Sequence, residues 1–336
     1  MSTDAHIQTK RWKLTVQAAL APAVWGSTYL VTTELLPAGR PLLDSVTRAL
    51  PAGLVLLAPH PDALPTGSWW WRSLVLGTLN IGAFNALLFV AAYRLPGGIA
   101  ATLIAFQPLA VAVLAVGLLG ERLSTRRLLA GLAGVVGVGL LVLRSDAELD
   151  AVGITAALGA AASMATGVVL TQRWGRPGGV LPFAAWQLTA GGLVIAPVAL
   201  AIEGGPPGLS ATNLAGYAYL SLIGAALTYP LWFRGIAQLS APVASFLGLL
   251  SPLVAALLGA AVLGEGFTPW QSVGFVIVLA SILAGQLAKR EHRAVPPEAL
   301  NRPMRAPGTP RPADGAADSA NTQAHAPRSP SCAEPS

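Results

Sequence analysis

Long apolar runs separated by short polar breaks, with little amphipathic alternation, set the pattern of this chain. A helix needs about 20 mostly apolar residues to cross the hydrocarbon core of a bilayer. Ten stretches meet or approach that length, at roughly 14–36, 41–58, 73–93, 97–118, 128–143, 153–173, 180–202, 214–236, 241–263 and 268–288. The pattern predicts an all-α integral membrane protein with ten transmembrane helices. The second stretch is interrupted by Asp44, Arg48 and Pro51, and the fifth is short, so both should be buried against polar or protein partners. The first should persist as a helix: its apolar run exceeds a signal-peptide core, and Thr32-Thr33-Glu34 is a poor cleavage site.

Composition agrees with this pattern. The chain is 54% hydrophobic and 11% charged, whereas soluble domains carry about 25% charged residues. Most of it therefore has no water-facing side. Cys332 is the only cysteine, so no disulfide or CxxC metal site can form. His6, His60, His292 and His325 all fall in termini or loops, which removes the imidazoles that a buried metal or a Ser-His-Asp triad would use. No GxxxxGK[ST] phosphate loop occurs. No enzyme activity, metal or cofactor is expected.

The net charge of +6 does not imply nucleic acid, because the basic residues sit singly or in pairs beside apolar runs, as helix-end anchors do. With the N-terminus in the cytoplasm, that side receives thirteen Lys and Arg and the outer side three, Arg40, Arg94 and Arg144. Both termini should therefore be cytoplasmic. From about Ala294 the chain turns to Pro, Ala, Ser, Asp and Arg, a composition that cannot bury enough surface to order itself.

A displacement of 144 positions aligns the chain with itself. Phe89 falls on Phe233, Leu103 on Leu247, Pro108 on Pro252, and Gly120-Glu121 on Gly264-Glu265. The expected organisation is a cytoplasmic N-terminus over 1–13, a first repeat over 14–143, an outer linker over 144–152, a second repeat over 153–288 and a disordered cytoplasmic tail over 289–336. Five helices per repeat is an odd number, so the second copy enters the membrane with opposite polarity. Inverted repeats of this kind place a substrate near the midplane and permit alternating access in secondary transporters.

Several motifs carry a further resemblance. They are Trp25-Gly26-Ser27, Arg48, and Ala105-Phe106-Gln107-Pro108 through Leu119-Gly120-Glu121-Arg122-Leu123, with Leu250-Ser251-Pro252 through Leu263-Gly264-Glu265 as its partner. Trp186-Gln187 and Leu231-Trp232-Phe233-Arg234-Gly235-Ile236 belong with them. Over roughly 14–288 the chain resembles the EamA family of the drug/metabolite transporter superfamily. That resemblance implies two EamA-type repeats in a bacterial inner membrane, most often exporting amino acids or related metabolites. Broad drug efflux, metabolite uptake and a non-transporting assembly or sensor role are the competing readings.

Strongly polar groups inside a membrane are costly, so each is a candidate for function. Arg48 stands four residues after Asp44, on the same helix face, and either attracts a substrate carboxylate or forms a structural ion pair with Asp44. Trp25, Ser27 and Tyr29 beside Gly26 offer indole, hydroxyl and phenol donors in the first helix. Asn80, Asn85 and Gln107 are amides that suit a zwitterionic ligand, with Trp186, Gln187, Tyr229 and Trp232 as counterparts in the second half. Trp69, Trp70 and Trp71 read instead as an interfacial belt, and Gly131, Gly134, Gly137 and Gly139 as a close helix contact. The expected partners are a small-molecule substrate and the lipid bilayer; a homodimer is left open.

Overall fold

The structure is a computed structural model that describes residues 2–59, 62–95, 97–142, 150–206, 208–263 and 268–287. The predicted tail, Glu265 and most of the outer linker lie outside the described residues. Among them every regular element is helical. The first half comprises α1 (Ser2–Gly26), α2 (Thr28–Leu35), α3 (Pro41–Leu57), α4 (Trp69–Gly77), α5 (Ala83–Arg94), α6 (Gly97–Ile104), α7 (Gln107–Leu119) and α8 (Thr125–Val142). The second comprises α9 (Ala151–Trp174), α10 (Val180–Glu203), α11 (Ala211–Ala218), α12 (Thr228–Leu239), α13 (Ala241–Leu247), α14 (Leu250–Leu263) and α15 (Pro269–Leu287). A π-helical segment joins α4 to α5 over Thr78–Gly82, and another joins α11 to α12 over Tyr219–Leu227.

Seven helical stretches among the described residues are long and apolar enough to cross a membrane, from Trp69–Ala91 to Pro269–Leu287. Three other predicted stretches are helical too, as α1 with α2, α3, and α8. The first of these is divided at Ser27, and α3 is 17 residues long. Outward-facing positions are apolar: Leu129 is 63% exposed, Val276 64% and Ile202 71%. A surface of that kind suits lipid, where the helix backbone satisfies its own hydrogen bonds.

Packing between helices rests on small residues, because in lipid close van der Waals fit does most of what the hydrophobic effect does in water. The first half is woven into the second: α1 lies against α12 and α14, α9 against α5 and α7, α3 against α10, and α8 against α15. Glycines mark the closest approaches. A Cβ on Gly191 of α10 would stand 2.7 Å from the Gly77 carbonyl of α4, and one on Gly53 of α3 would stand 2.6 Å from the Thr189 nitrogen of α10. In α8, Gly131, Gly134 and Gly137 face Leu109, Leu249 with Ser281, and Ile277 with Val278 respectively. The close helix contact expected there is present.

Two breaks shape the middle of the molecule. The predicted fourth stretch divides at Ala105–Phe106 into α6 and α7, and the ninth divides at Gly248–Leu249 into α13 and α14. Pro108 accounts for the first, since a proline is tolerated in the opening turn of a helix and not in its interior. At the end of α7, Gly120 adopts φ 67°, a left-handed value that stops the helix. The following Glu121 is bound by Arg127 of α8 at 2.9 Å, both side chains nearly buried.

The α3 N-terminus is capped from outside its own segment. Glu203, the last residue of α10, accepts the Leu42 and Leu43 amides at 2.8 and 2.9 Å. Arg40 in turn donates to the Glu203 carbonyl at 2.9 Å. A carboxylate at a helix N-terminus satisfies orphan donors and complements the helix dipole. Glu203→Ala is therefore expected to destabilise the protein by about 1–2 kcal/mol, and Glu203→Gln by less, as read from melting in detergent.

Candidate functional site

A cavity of about 550 Å³ lies where α2, α3, α5 and α7 of the first half meet α12, α13 and α14 of the second. Much of its wall is built from positions that the 144-residue displacement makes equivalent. Seven such pairs line it, among them Asn85 with Tyr229, Leu88 with Trp232, Gln107 with Ser251, and Pro108 with Pro252. The helix breaks supply one of the seven, Ala105 with Leu249. Broken helices at membrane depth are tolerated where they line a cavity. The cavity extends toward the loop at Leu36–Ala38 and toward Tyr93 at the end of α5.

Its chemistry is mostly apolar and aromatic with a few polar groups. Arg48 is the only Asp, Glu, Lys, Arg or His on the wall among the described residues. It is 5% exposed, and its Nη2 donates to the Gly224 carbonyl at 3.1 Å. The same carbonyl accepts Trp25 Nε1 at 3.1 Å and Thr228 Oγ1 at 2.8 Å. Gly224 lies in the π segment over Tyr219–Leu227, whose wider turn does not hold its carbonyls in the ordinary α ladder. One carbonyl of the second half thus positions the guanidinium and the indole that the first half presents to the cavity. Trp25 Nε1 is also 2.9 Å from Thr228 Oγ1. Its ring lies 5.3 Å from Tyr229 and 5.3 Å from Trp232, the latter edge-on.

Six of the eleven sequence-derived candidates meet on this wall: Trp25, Arg48, Asn85, Gln107, Tyr229 and Trp232. Four lie elsewhere. The Ser27 hydroxyl is taken up by the Val24 carbonyl and the Tyr219 hydroxyl, both at 2.7 Å. Asn80 is fully buried and donates to Gln187 Oε1 at 2.8 Å and to Thr171 Oγ1 at 3.2 Å, a knot that ties the halves together away from the cavity. Gln187 belongs to that knot, and Trp186 donates to the Ala63 carbonyl at 2.7 Å. The Tyr29 side chain lies outside the described residues.

Asp44 is buried on the same helix as Arg48, and its carboxylate accepts the Tyr217 hydroxyl at 2.8 Å while Arg48 reaches Gly224. The single i, i+4 spacing placed both on one face but not which neighbour each would meet. Sequence reasoning also passed over Ser245, Ser251, Thr32 and Thr33, all on the wall. A usable signal existed for Ser251, which is the repeat counterpart of Gln107.

These features define a multi-helix membrane protein with a central cavity shared between two halves. The sequence profile of the EamA-like transporter family matches twice, over residues 13–143 and 151–284, and the chain belongs to that family of membrane transporters. Protein PecM of Dickeya dadantii (strain 3937) is 45% identical over 276 residues, which is 82% of this chain and 92% of that protein. An uncharacterized inner membrane transporter of Escherichia coli K12, YedA, is 28% identical over 274 residues, 77% of this chain and 86% of its own length. A solved crystal structure at 17% identity superposes with a TM-score of 0.70, covering 81% of this chain and 97% of its own; it shares the fold.

Proposed function

We propose that this protein is a secondary transporter of the inner membrane that exports small metabolites bearing a carboxylate, amino acids or their relatives, by alternating access. The observation that carries the reading is the cavity itself: one buried guanidinium, Arg48, on a wall made of equivalent positions from both halves. A fixed positive charge among aromatic and amide groups favours a ligand with an anionic end, and the amides Asn85 and Gln107 offer donors and acceptors to the remainder.

Ten membrane-spanning helices in two inverted repeats, 14–143 and 153–288, account for several facts together. The family profile matches each half. Both halves carry a π segment before the helix that reaches the cavity, and both break a later helix beside a proline at equivalent spacing. The helix exchanges are reciprocal too, with α1 on α12 and α9 on α5. With both termini cytoplasmic, the loop at Leu36–Ala38 and Tyr93 lie outside, so the cavity is reached from the outer face. Buried Phe183, Phe233 and Phe246 fill the core toward the other end. Alternating access then requires that this packing loosen while the outer mouth closes.

A second reading is favoured by the wall's large apolar share: efflux of amphipathic drugs. The two separate on charge. Cells producing the protein are scored by mass spectrometry for metabolites that accumulate outside, alongside resistance to a panel of lipophilic cations. Export of carboxylate-bearing compounds without cation resistance is the expected result. Cation resistance alone overturns the proposed substrate class, and absence of any flux with inserted protein overturns export.

A further inference from the structure

A second group of positive charges, Arg72, Arg176 and Arg234, lies away from the cavity, where α9 meets α4 and α12. The Arg72 guanidinium carbon stands 5.4 Å from the Trp69 ring, 5.5 Å from Trp71 and 5.5 Å from Trp174. Trp71 and Trp174 pack edge-on at 5.2 Å, closing the cage. Two residues beyond Trp174, Arg176 follows the end of α9; partial burial, and then the like charge of Arg234 of α12, lower its pKa.

None of the three arginines has a carboxylate within ion-pairing distance among the described residues. Arg72 Nε and Arg176 Nη1 are both buried without a hydrogen-bond partner. Buried N–H groups of cations are expensive to leave unmet, and two guanidiniums brought together without an acid are stabilised by a shared anion. Alongside the cage the surface is apolar and open: Trp70 is 59% exposed, Trp71 50% and Leu74 49%. Indoles at this position mark the level of lipid headgroups.

We infer that Arg72, Arg176 and Arg234 form a binding site for the phosphate of an anionic phospholipid, whose acyl chains lie along Trp70, Trp71 and Leu74. Guanidiniums bind phosphate through paired N–H donors, while the indoles hold Arg72 in place by cation–π contact and pack against the glycerol backbone. The exposed apolar flank distinguishes a lipid from a free anion, which would use the arginines alone. The site requires only that the protein sits in a bilayer and does not depend on the proposed substrate or direction of transport.

The test is lipid retention by the purified full-length protein in detergent, read by native mass spectrometry after adding equal phosphatidylglycerol and phosphatidylcholine. The wild-type protein is expected to keep phosphatidylglycerol preferentially. Each arginine near a membrane surface contributes about a fivefold preference, so Arg176→Gln/Arg234→Gln should lower the ratio about 25-fold. Arg122→Gln/Arg126→Gln removes as much charge at exposed positions outside the site and should lower the ratio less than the double variant does. If the double variant does not fold, Arg234→Gln alone, at an exposed position, should still lower it about fivefold. Equal retention of both lipids by the wild type, or a ratio unmoved by Arg234→Gln, overturns the proposal. Displacement of phosphatidylglycerol by millimolar inorganic phosphate overturns the lipid as its source and leaves a free-anion site.

Discussion

Arg48→Gln is expected to reduce substrate flux about 10- to 100-fold while the protein still inserts and melts near the wild-type temperature. The magnitude follows from losing one charge-assisted hydrogen bond to a ligand in a desolvated site, about 1.5–3 kcal/mol. Glutamine ends two bonds short of Nη2 and gives up the Gly224 carbonyl, but Trp25 Nε1 and Thr228 Oγ1 still donate to it, so that carbonyl is not left unmet. Arg48→Lys should be intermediate: the charge survives, but a single ammonium cannot hold the carbonyl and a carboxylate with the geometry of a planar fork. Flux into proteoliposomes, normalised to reconstituted protein, separates the two roles open to this residue. A guanidinium that serves only to clamp α3 would give less folded protein in both variants with unchanged flux per molecule. A guanidinium that meets substrate gives normal amounts of protein and lost flux, graded in the order Gln below Lys below Arg.

How much of this molecule is legible in its sequence depends on how local each feature is. Helix positions were legible because lipid forces a long apolar run to be a helix; there is no competing way to satisfy its backbone. The repeat was legible because Pro108 with Pro252, and Gly120-Glu121 with its counterpart, recur at one spacing. The interruptions were not. Nothing in Thr78–Gly82 or Tyr219–Leu227 announces a π turn, which arises where neighbouring helices offer donors such as Trp25 Nε1 and Arg48 to an unladdered carbonyl. The same limit explains the candidate residues. A polar side chain at membrane depth must find a partner, and sequence identifies the need without the partner. Asn80 and Gln187 found each other across the halves and serve structure, whereas Asn85, five residues after Asn80, turns to the cavity. Ser27 and Trp25 are two residues apart in one apolar stretch, yet only Trp25 faces the cavity, because the helix breaks at Ser27 and α2 sets off in a new register.

Gly274→Leu is expected to abolish accumulation of the folded protein, and Gly274→Ala to cost about 1–3 kcal/mol, the usual range for overpacking. A Cβ at this position in α15 would stand 2.6 Å from the Gly137 carbonyl and 2.6 Å from the Leu141 nitrogen of α8, with the Leu140 carbonyl carbon at 3.0 Å. All three are backbone atoms, so no rotamer change relieves the clash and the helices must separate along their length. Separation opens the buried seam formed by Val138 and Leu141 of α8 with Val278 and Ile282 of α15. Among the described residues, packing and the Ser281 hydrogen bond to the Ala130 carbonyl hold that seam. Gly117→Ala in α7 is the matched control: a Cβ there meets nothing within 4 Å, so its melting temperature should equal or slightly exceed the wild type. Since neither Gly274 nor Gly137 touches the cavity, whatever Gly274→Ala protein folds should transport at the wild-type rate per molecule. Lost stability with normal flux would assign the α8–α15 seam to scaffold. Normal stability with lost flux would instead make that seam part of the moving machinery, sliding or opening as the cavity changes sides.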